Sequence, residues 1–293
     1  MKLTVSKFAG FCPGTSHADN VIKELLAKKA ENDRIYTLGK LIHNRTYVEA
    51  LEALGVMSIG MSDVEQILKQ NENGKTFLVI RTHGIGQCDG EYLNSLSSVY
   101  PNLEIIDATC PSVKKIHRIA LQHTGEDTHF VLYGNADHPE TKGIISYVKG
   151  DYSIISSFDD AKSLEFKGKI PILCAQTTQN LLEFIKIKNF FKKVYTNAIF
   201  FDTICSVTEK RQQEALLIAK ESDAMVVLGG YDRSNTRKLY ELCKDVCPNT
   251  IWCETVHDLT TAFSDSIKSV GITAGASTPD GIILEVLKKY GKL

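Results

Sequence analysis

Leu103-Glu-Ile-Ile-Asp-Ala-Thr-Cys110-Pro-Ser-Val-Lys-Lys-Ile116 is the stretch from which the rest of the chain can be read. Leu103 to Thr109 reads as a strand. After Cys110, Pro111 suits a first helical turn, where its missing N–H is no loss, and Val113, Ile116, Ile119 and Ala120 make the run amphipathic. The same strand, cysteine and helix recur twice. Leu3 to Phe11 leads to Cys12-Pro13-Gly14 and then Val21, Ile22, Leu25 and Leu26; Ala198 to Ile204 leads to Cys205 and a Lys/Arg/Gln/Glu-rich helix carrying Leu216, Leu217 and Ile218. The three cysteines stand about a third of the chain apart, so the chain reads as three copies of one small unit.

Each third next offers an apolar strand, a glycine and then a polar group. The segments are Ile35 to Gly39 leading to His43-Asn44, Phe130 to Gly134 leading to His138-Pro139-Glu140, and Met225 to Gly230 leading to Ser234-Asn235. A further strand in each third again ends in polar side chains, at His83-Gly84, at Gln176-Thr177-Thr178 and at Ser277. Alternating strands and helices imply parallel sheets, whose ligands gather at the carboxyl ends of the strands. The predicted architecture is α/β: three similar small lobes with mainly parallel sheets around a common centre. Their bounds are 13–109, 110–203 and 204–293, with residues 1–12 pairing either with the first lobe or with the third.

Composition fits this. A chain of 293 residues, 43% hydrophobic and 24% charged, can bury a core and is not of the disordered class. Its 34 basic and 35 acidic side chains balance, which removes the summed attraction that drives nucleic-acid binding. No uninterrupted apolar run is long enough to span a membrane, and residues 1–7 lack the features of a signal peptide, so a cytoplasmic location is expected. Disulfides are then not expected.

A thiolate at a helix N-terminus is stabilised by free N–H donors and the positive helix end. Packing alone accounts well for one such cysteine and poorly for three in register. Three thiolates without a fourth suggest a 4Fe-4S cluster with one iron open, since closed clusters and structural zinc use four ligands. The rival group, Cys243, Cys247 and Cys253, matches neither zinc nor ferredoxin spacing and reads as core, as does Cys174. Cys88 has no assigned part.

At these residues the chain resembles the 4-hydroxy-3-methylbut-2-enyl diphosphate reductases, which close the non-mevalonate route to isoprenoids. The matching motifs are Gly10-Phe-Cys12-x-Gly14, His43-Asn44, His83-Gly84, Asp107-Ala-Thr-Cys110-Pro111, His138-Pro139-Glu140, Gln176-Thr177-Thr178, Asp202-Thr-Ile-Cys205, Ser234-Asn235 and Thr273-Ala-Gly-Ala-Ser277. They run in family order over nearly the whole chain. The resemblance implies a pseudo-threefold trefoil of lobes around a 4Fe-4S cluster on Cys12, Cys110 and Cys205. It implies reductive dehydroxylation of the allylic alcohol diphosphate to isopentenyl and dimethylallyl diphosphate, the hydroxyl bound at the open iron.

Within that family reading Glu140, the one acid among the recurring strand-end groups, is the general acid. Thr177 relays the proton or orients the hydroxyl, and His138 joins the catalytic set. His43, His83, His138, Thr177, Ser234, Asn235 and Ser277 would bind substrate. Two positions depart from the family pattern. Arg233 stands where a serine is usual and either grips the diphosphate or turns to solvent; Asp137 replaces a glycine and either raises the pKa of His138 or repels substrate. The expected electron donor is a small ferredoxin- or flavodoxin-like protein, since no dinucleotide fingerprint is present. Two other readings stay open: a cluster enzyme without net redox, such as a dehydratase or a quinolinate synthase-like enzyme, and a non-enzymatic iron–sulfur sensor.

Overall fold

In the computed structural model, residues 1–42, 44–71, 73–231, 233–259, 263 and 266–290 are described. The first third runs β1 (Lys2–Val5), α1 (Pro13–Lys28), β2 (Arg34–Leu38), α2 (Arg45–Ala53), β3 (Val56–Ile59), α3 (Val64–Gln70), β4 (Thr76–Ile80), α4 (Gln87–Val99) and β5 (Leu103–Asp107). The second runs α5 (Pro111–His123), β6 (Thr128–Tyr133), α6 (Pro139–Ile145), β7 (Asp151–Ile155), α7 (Phe158–Lys162), β8 (Ile170–Ala175), α8 (Leu181–Val194) and β9 (Ile199–Phe200). The last runs α9 (Ser206–Lys220), β10 (Ala224–Leu228), α10 (Ser234–Val246), β11 (Thr250–Cys253), β12 (Ser269–Ala274) and α11 (Asp280–Lys289).

The strands form three four-stranded parallel sheets, ordered β3-β2-β4-β5, β7-β6-β8-β9 and β11-β10-β12-β1. The order is the same each time: second strand, first, third, fourth. In the last sheet the fourth place is taken by β1, with Leu3 opposite Val270 and Val5 opposite Ile272. Each fourth strand therefore leads into a cysteine and the next helix, β1 into Cys12, β5 into Cys110 and β9 into Cys205.

Parallel strands covered on both faces by helices must be apolar on both faces, and these are. In β10, Val226 and Leu228 enter one core layer with Val270, Ile272 and Val286, while Met225 and Val227 enter the other with Ala215, Ile218 and Leu239. In β6, Val131 and Tyr133 face Phe184 and Phe191; Phe130 and Leu132 face Ile116 and Ile144.

The chain divides into two compact units. One comprises Met1–Ser16, Ile42–Val48 and Cys205–Leu293 and holds the sheet containing β1; the other comprises His17–Leu41 and Glu49–Ile204 and holds the remaining two sheets. Among the described residues no helix is long and apolar enough to cross a membrane.

Candidate active site

In the unit of two sheets the cysteine is placed by backbone bonds that prolong the ladder. The Asp107 carboxylate accepts from the Thr109 N–H (2.9 Å), Ala108 N–H donates to the Ile80 carbonyl (3.1 Å) and Cys110 N–H to that of Thr82 (3.0 Å). Cys110 is the N-cap of α5 and sits beside the residue that precedes His83. Gly84 follows in a left-handed conformation (φ +72°), and a Cβ there would lie 2.9 Å from the His117 ring and 3.0 Å from Thr109. Glycine thus lets the histidine loop press against the start of α5. The His83 and His138 rings meet edge to face with centroids 5.0 Å apart.

His138 caps α6, its Nδ1 accepting from the Glu140 N–H at 3.1 Å. That bond assigns the ring proton to Nε2, which makes Nε2 the donor nitrogen of the neutral ring. Glu140 is 1% exposed. Its carboxylate accepts from the Thr177 N–H (2.7 Å) and the Thr177 hydroxyl (2.8 Å). Burial pushes its pKa up to about 7, against the two Thr177 bonds, which pull it down. The neighbouring Gln176, fully buried at the end of β8, accepts from the Asn135 N–H (3.0 Å) and from the Gln179 amide (3.1 Å). It stitches the loops that carry His138 and Thr177. Asp137 turns outward: its side chain is 95% exposed and 3.9 Å from Lys142, which removes the inward-pointing alternative.

In the unit containing β1 the same construction recurs. Cys12 N–H donates to the Ala276 carbonyl (3.3 Å), the residue before Ser277, as Cys110 does to the residue before His83. The Cys12 sulfur accepts from Thr15 N–H at 3.4 Å, and Cys205 is the N-cap of α9. Ser234 and Asn235 open α10, with Arg233 half-buried at the N-cap. A Cβ on Gly275 would lie 2.3 Å from the Thr236 hydroxyl and 3.5 Å from the Asn235 amide nitrogen, so the start of α10 is drawn against the loop carrying Ser277. His43 lies outside the described residues.

Sequence reading missed Arg211. The polar helix α9 looked anchored by Leu216, Leu217 and Ile218, yet Leu217 is 61% exposed while Arg211 and Gln212 are buried with Ala215, Ile218 and Ala219. The signal was the spacing of these five at 3.6-residue periodicity, masked because two are polar. The Arg211 guanidinium donates to the Gly10 carbonyl at 2.7 Å; its Nε and second terminal nitrogen are buried without partners.

All eight cysteines are unbridged. Among the described residues no three His, Cys, Asp or Glu side chains converge closely enough to hold a single metal ion. Cys12, Cys110 and Cys205 are half-buried at helix starts, and a buried cation with unused N–H groups stands in the field of Cys12 and Cys205. A soft, thiolate-rich, anionic group fits that donor set.

A carboxylic acid kept inside a parallel α/β framework with its pKa near neutrality is equipment for catalysis, and the strand ends that hold it are where such enzymes work. Residues 3–290 match the family model for the LytB protein, and the chain belongs to that family. The 4-hydroxy-3-methylbut-2-enyl diphosphate reductase of Geobacter sulfurreducens is 37% identical over 294 residues, covering 99% of this chain and 96% of its own. That of Campylobacter hominis is 35% identical over 294 residues and covers all of both chains. A solved structure of (E)-4-hydroxy-3-methyl-but-2-enyl diphosphate reductase, described as the terminal enzyme of the non-mevalonate pathway, superposes with a TM-score of 0.67 at 32% identity over the full length of both. The E-1-hydroxy-2-methyl-but-2-enyl-4-diphosphate reductase of Plasmodium falciparum gives 0.84 at 25% identity, over 98% of this chain and 87% of that one. The α/β class and the family resemblance read from the ordered motifs are borne out.

Proposed function

We propose that this chain reduces (E)-4-hydroxy-3-methylbut-2-enyl diphosphate to isopentenyl and dimethylallyl diphosphate, with Glu140 as the acid and Cys12, Cys110 and Cys205 as ligands of a 4Fe-4S cluster. The supporting observation is the buried Glu140–Thr177 pair, an acid poised to be protonated near pH 7 with its one hydroxyl neighbour aligned. When bound, the cluster supplies an open Lewis-acidic iron for the substrate hydroxyl and the electrons for reduction.

Two electrons and two protons enter. The allylic C–O bond breaks, the hydroxyl leaves as water, and a C–H bond forms at either end of the allyl unit while the diphosphate stays intact. Glu140 holds one of those protons. With Glu140 ionised, the Thr177 hydroxyl donates a hydrogen bond to the carboxylate; once Glu140 is protonated the contact reverses, and Thr177 passes its own proton to the leaving hydroxyl as it takes up the one from Glu140. The chain's own residues thereby deliver a proton to an oxygen that would otherwise depart as hydroxide.

The diphosphate is bound by His83, the Nε2–H of His138, Ser234, Asn235 and Ser277, with His43 added by the resemblance and Arg233, which stands where the family has a serine, as a further donor. The electron donor is a small ferredoxin- or flavodoxin-like protein, and the reaction takes place in the cytoplasm.

The test is an anaerobic assay of the reconstituted chain with dithionite and a viologen mediator. Both products are expected from the parent protein. Glu140→Gln is expected to keep the cluster spectrum and lose turnover by about 10²- to 10⁴-fold, the usual worth of a general acid; undiminished turnover would refute the acid assignment.

A further inference from the structure

Among the described residues Arg211 is the most deeply buried cationic side chain, and no carboxylate pairs with it. It is 6% exposed, and none of the ion pairs among the described residues includes it. A charge taken out of water needs a counter-charge close by, or it destabilises the fold. The Gly10 carbonyl is a neutral partner for one nitrogen only. Two further nitrogens have none.

Geometry narrows what the missing counter-charge is. Gly10 stands two residues before Cys12, and Arg211 lies on the helix that Cys205 caps, so the guanidinium ties together the two segments that present these sulfurs. The Arg211 pKa, pulled down by burial to about 10, is held up by Cys12 and Cys205. The group therefore remains a cation at neutral pH, in the field of these two sulfurs.

We propose that Arg211 is the fixed counter-cation of the thiolate site: anchored on Gly10, it offsets the negative charge of Cys12 and Cys205 and stabilises the reduced state of the iron–sulfur group they hold. The inference rests on the cluster reading above. Arg211 touches neither substrate nor reacting atoms and is a positioning residue. Its effect follows from charge: three thiolates make the ligated group anionic, each added electron makes it more so, and a nearby fixed cation favours the more negative state. Guanidinium suits the place because it stays protonated when buried and can spread its charge over two sulfurs.

The experiment compares the anaerobically purified parent with Arg211→Gln and Arg211→Lys. Iron and sulfide per chain, the rate of iron release to a ferrous chelator, and the midpoint potential by mediated titration are measured. Arg211→Gln is expected to release iron about tenfold faster and to lower the midpoint by about 59 mV, a tenfold change in the reduced-to-oxidised ratio for one electron. Arg211→Lys, which keeps the charge, is expected to recover at least half of the shift. A glutamine variant with the parent's release rate and midpoint overturns the proposal. Should that variant not accumulate as folded protein, the lysine variant decides: a midpoint displaced by the full amount overturns it as well. A parent holding no more iron than its Cys205→Ser variant removes the cluster reading itself, whereas an iron-loaded parent with an indifferent Arg211 removes only the role given to Arg211.

Discussion

Cys243, Cys247 and Cys253 lie close together in sequence, yet a sheet divides them. Cys243 and Cys247 pack with Met225 and Val227 on one face, Cys253 with Val226 and Leu228 on the other. Burial lifts the Cys243 and Cys253 thiols to about 12, so they stay protonated and behave as small apolar groups. The segments presenting Cys12 and Cys205, about two-thirds of the chain apart, are tied by one buried guanidinium: Arg211, on the helix that Cys205 caps, donates to Gly10, two residues before Cys12. On the proposed reading, position at the start of a helix, rather than spacing along the chain, separates the ligating sulfurs from those that only fill space.

That contrast can be broken by exchanging serine or alanine for cysteine in each set. Cys205→Ser is expected to lose bound iron and, with it, roughly a thousandfold or more of turnover, while Cys247→Ala keeps both; equal iron contents by elemental analysis would erase the distinction. A smaller effect is expected at the acid. Thr177→Val removes the hydroxyl contact but keeps the N–H bond to Glu140, and should lower kcat roughly tenfold, the scale of a lost hydrogen bond to a charged group. Because both Thr177 bonds hold the Glu140 pKa down, the alkaline limb of the rate profile should move to higher pH in this variant.

The same pKa gives a stability test. Glu140 rises from an ordinary value of 4.5 to about 7 on folding, so the folded chain binds the extra proton. Stability on this account is complete below pH 4.5, falls as pH climbs from there to about 7, and is level beyond, a loss on the order of 3 kcal/mol. Glu140→Gln should flatten that slope, read as the change in Tm between pH 5 and pH 8; an unchanged slope would place the acid in a wetter setting. The smallest effect belongs to the core sulfurs. Cys253→Ser puts a hydroxyl among Val226, Leu228 and Val286 and should lower stability by about 1–3 kcal/mol with iron content unaltered.

Much of this was legible in the residues. Glycines, prolines, histidines and cysteines recur in register because strand ends, helix starts and donors each demand particular residue types, and those demands repeat in every sheet. What was hidden depended on long-range company. Residues 2–5 have the pattern of a strand, but nothing local to them says which of two edges they join. Arg211 and Gln212 carry the polarity of a surface, and only the helix seated against Gly10 reveals them as interior. The elevated pKa of Glu140 arises from what surrounds it, none of which lies in the His138-Pro139-Glu140 motif.

The pairing of β1 with β12 also bears on how the molecule is made. The first strand emerges from the ribosome long before its partner, and must wait, unpaired, until β12 has been synthesised. Such a closure has a high contact order and leaves an apolar strand exposed during synthesis. Cys12, a few residues downstream, therefore takes its place beside Ala276 only when the last sheet closes, so on the proposed cluster reading iron loading would follow the synthesis of β12.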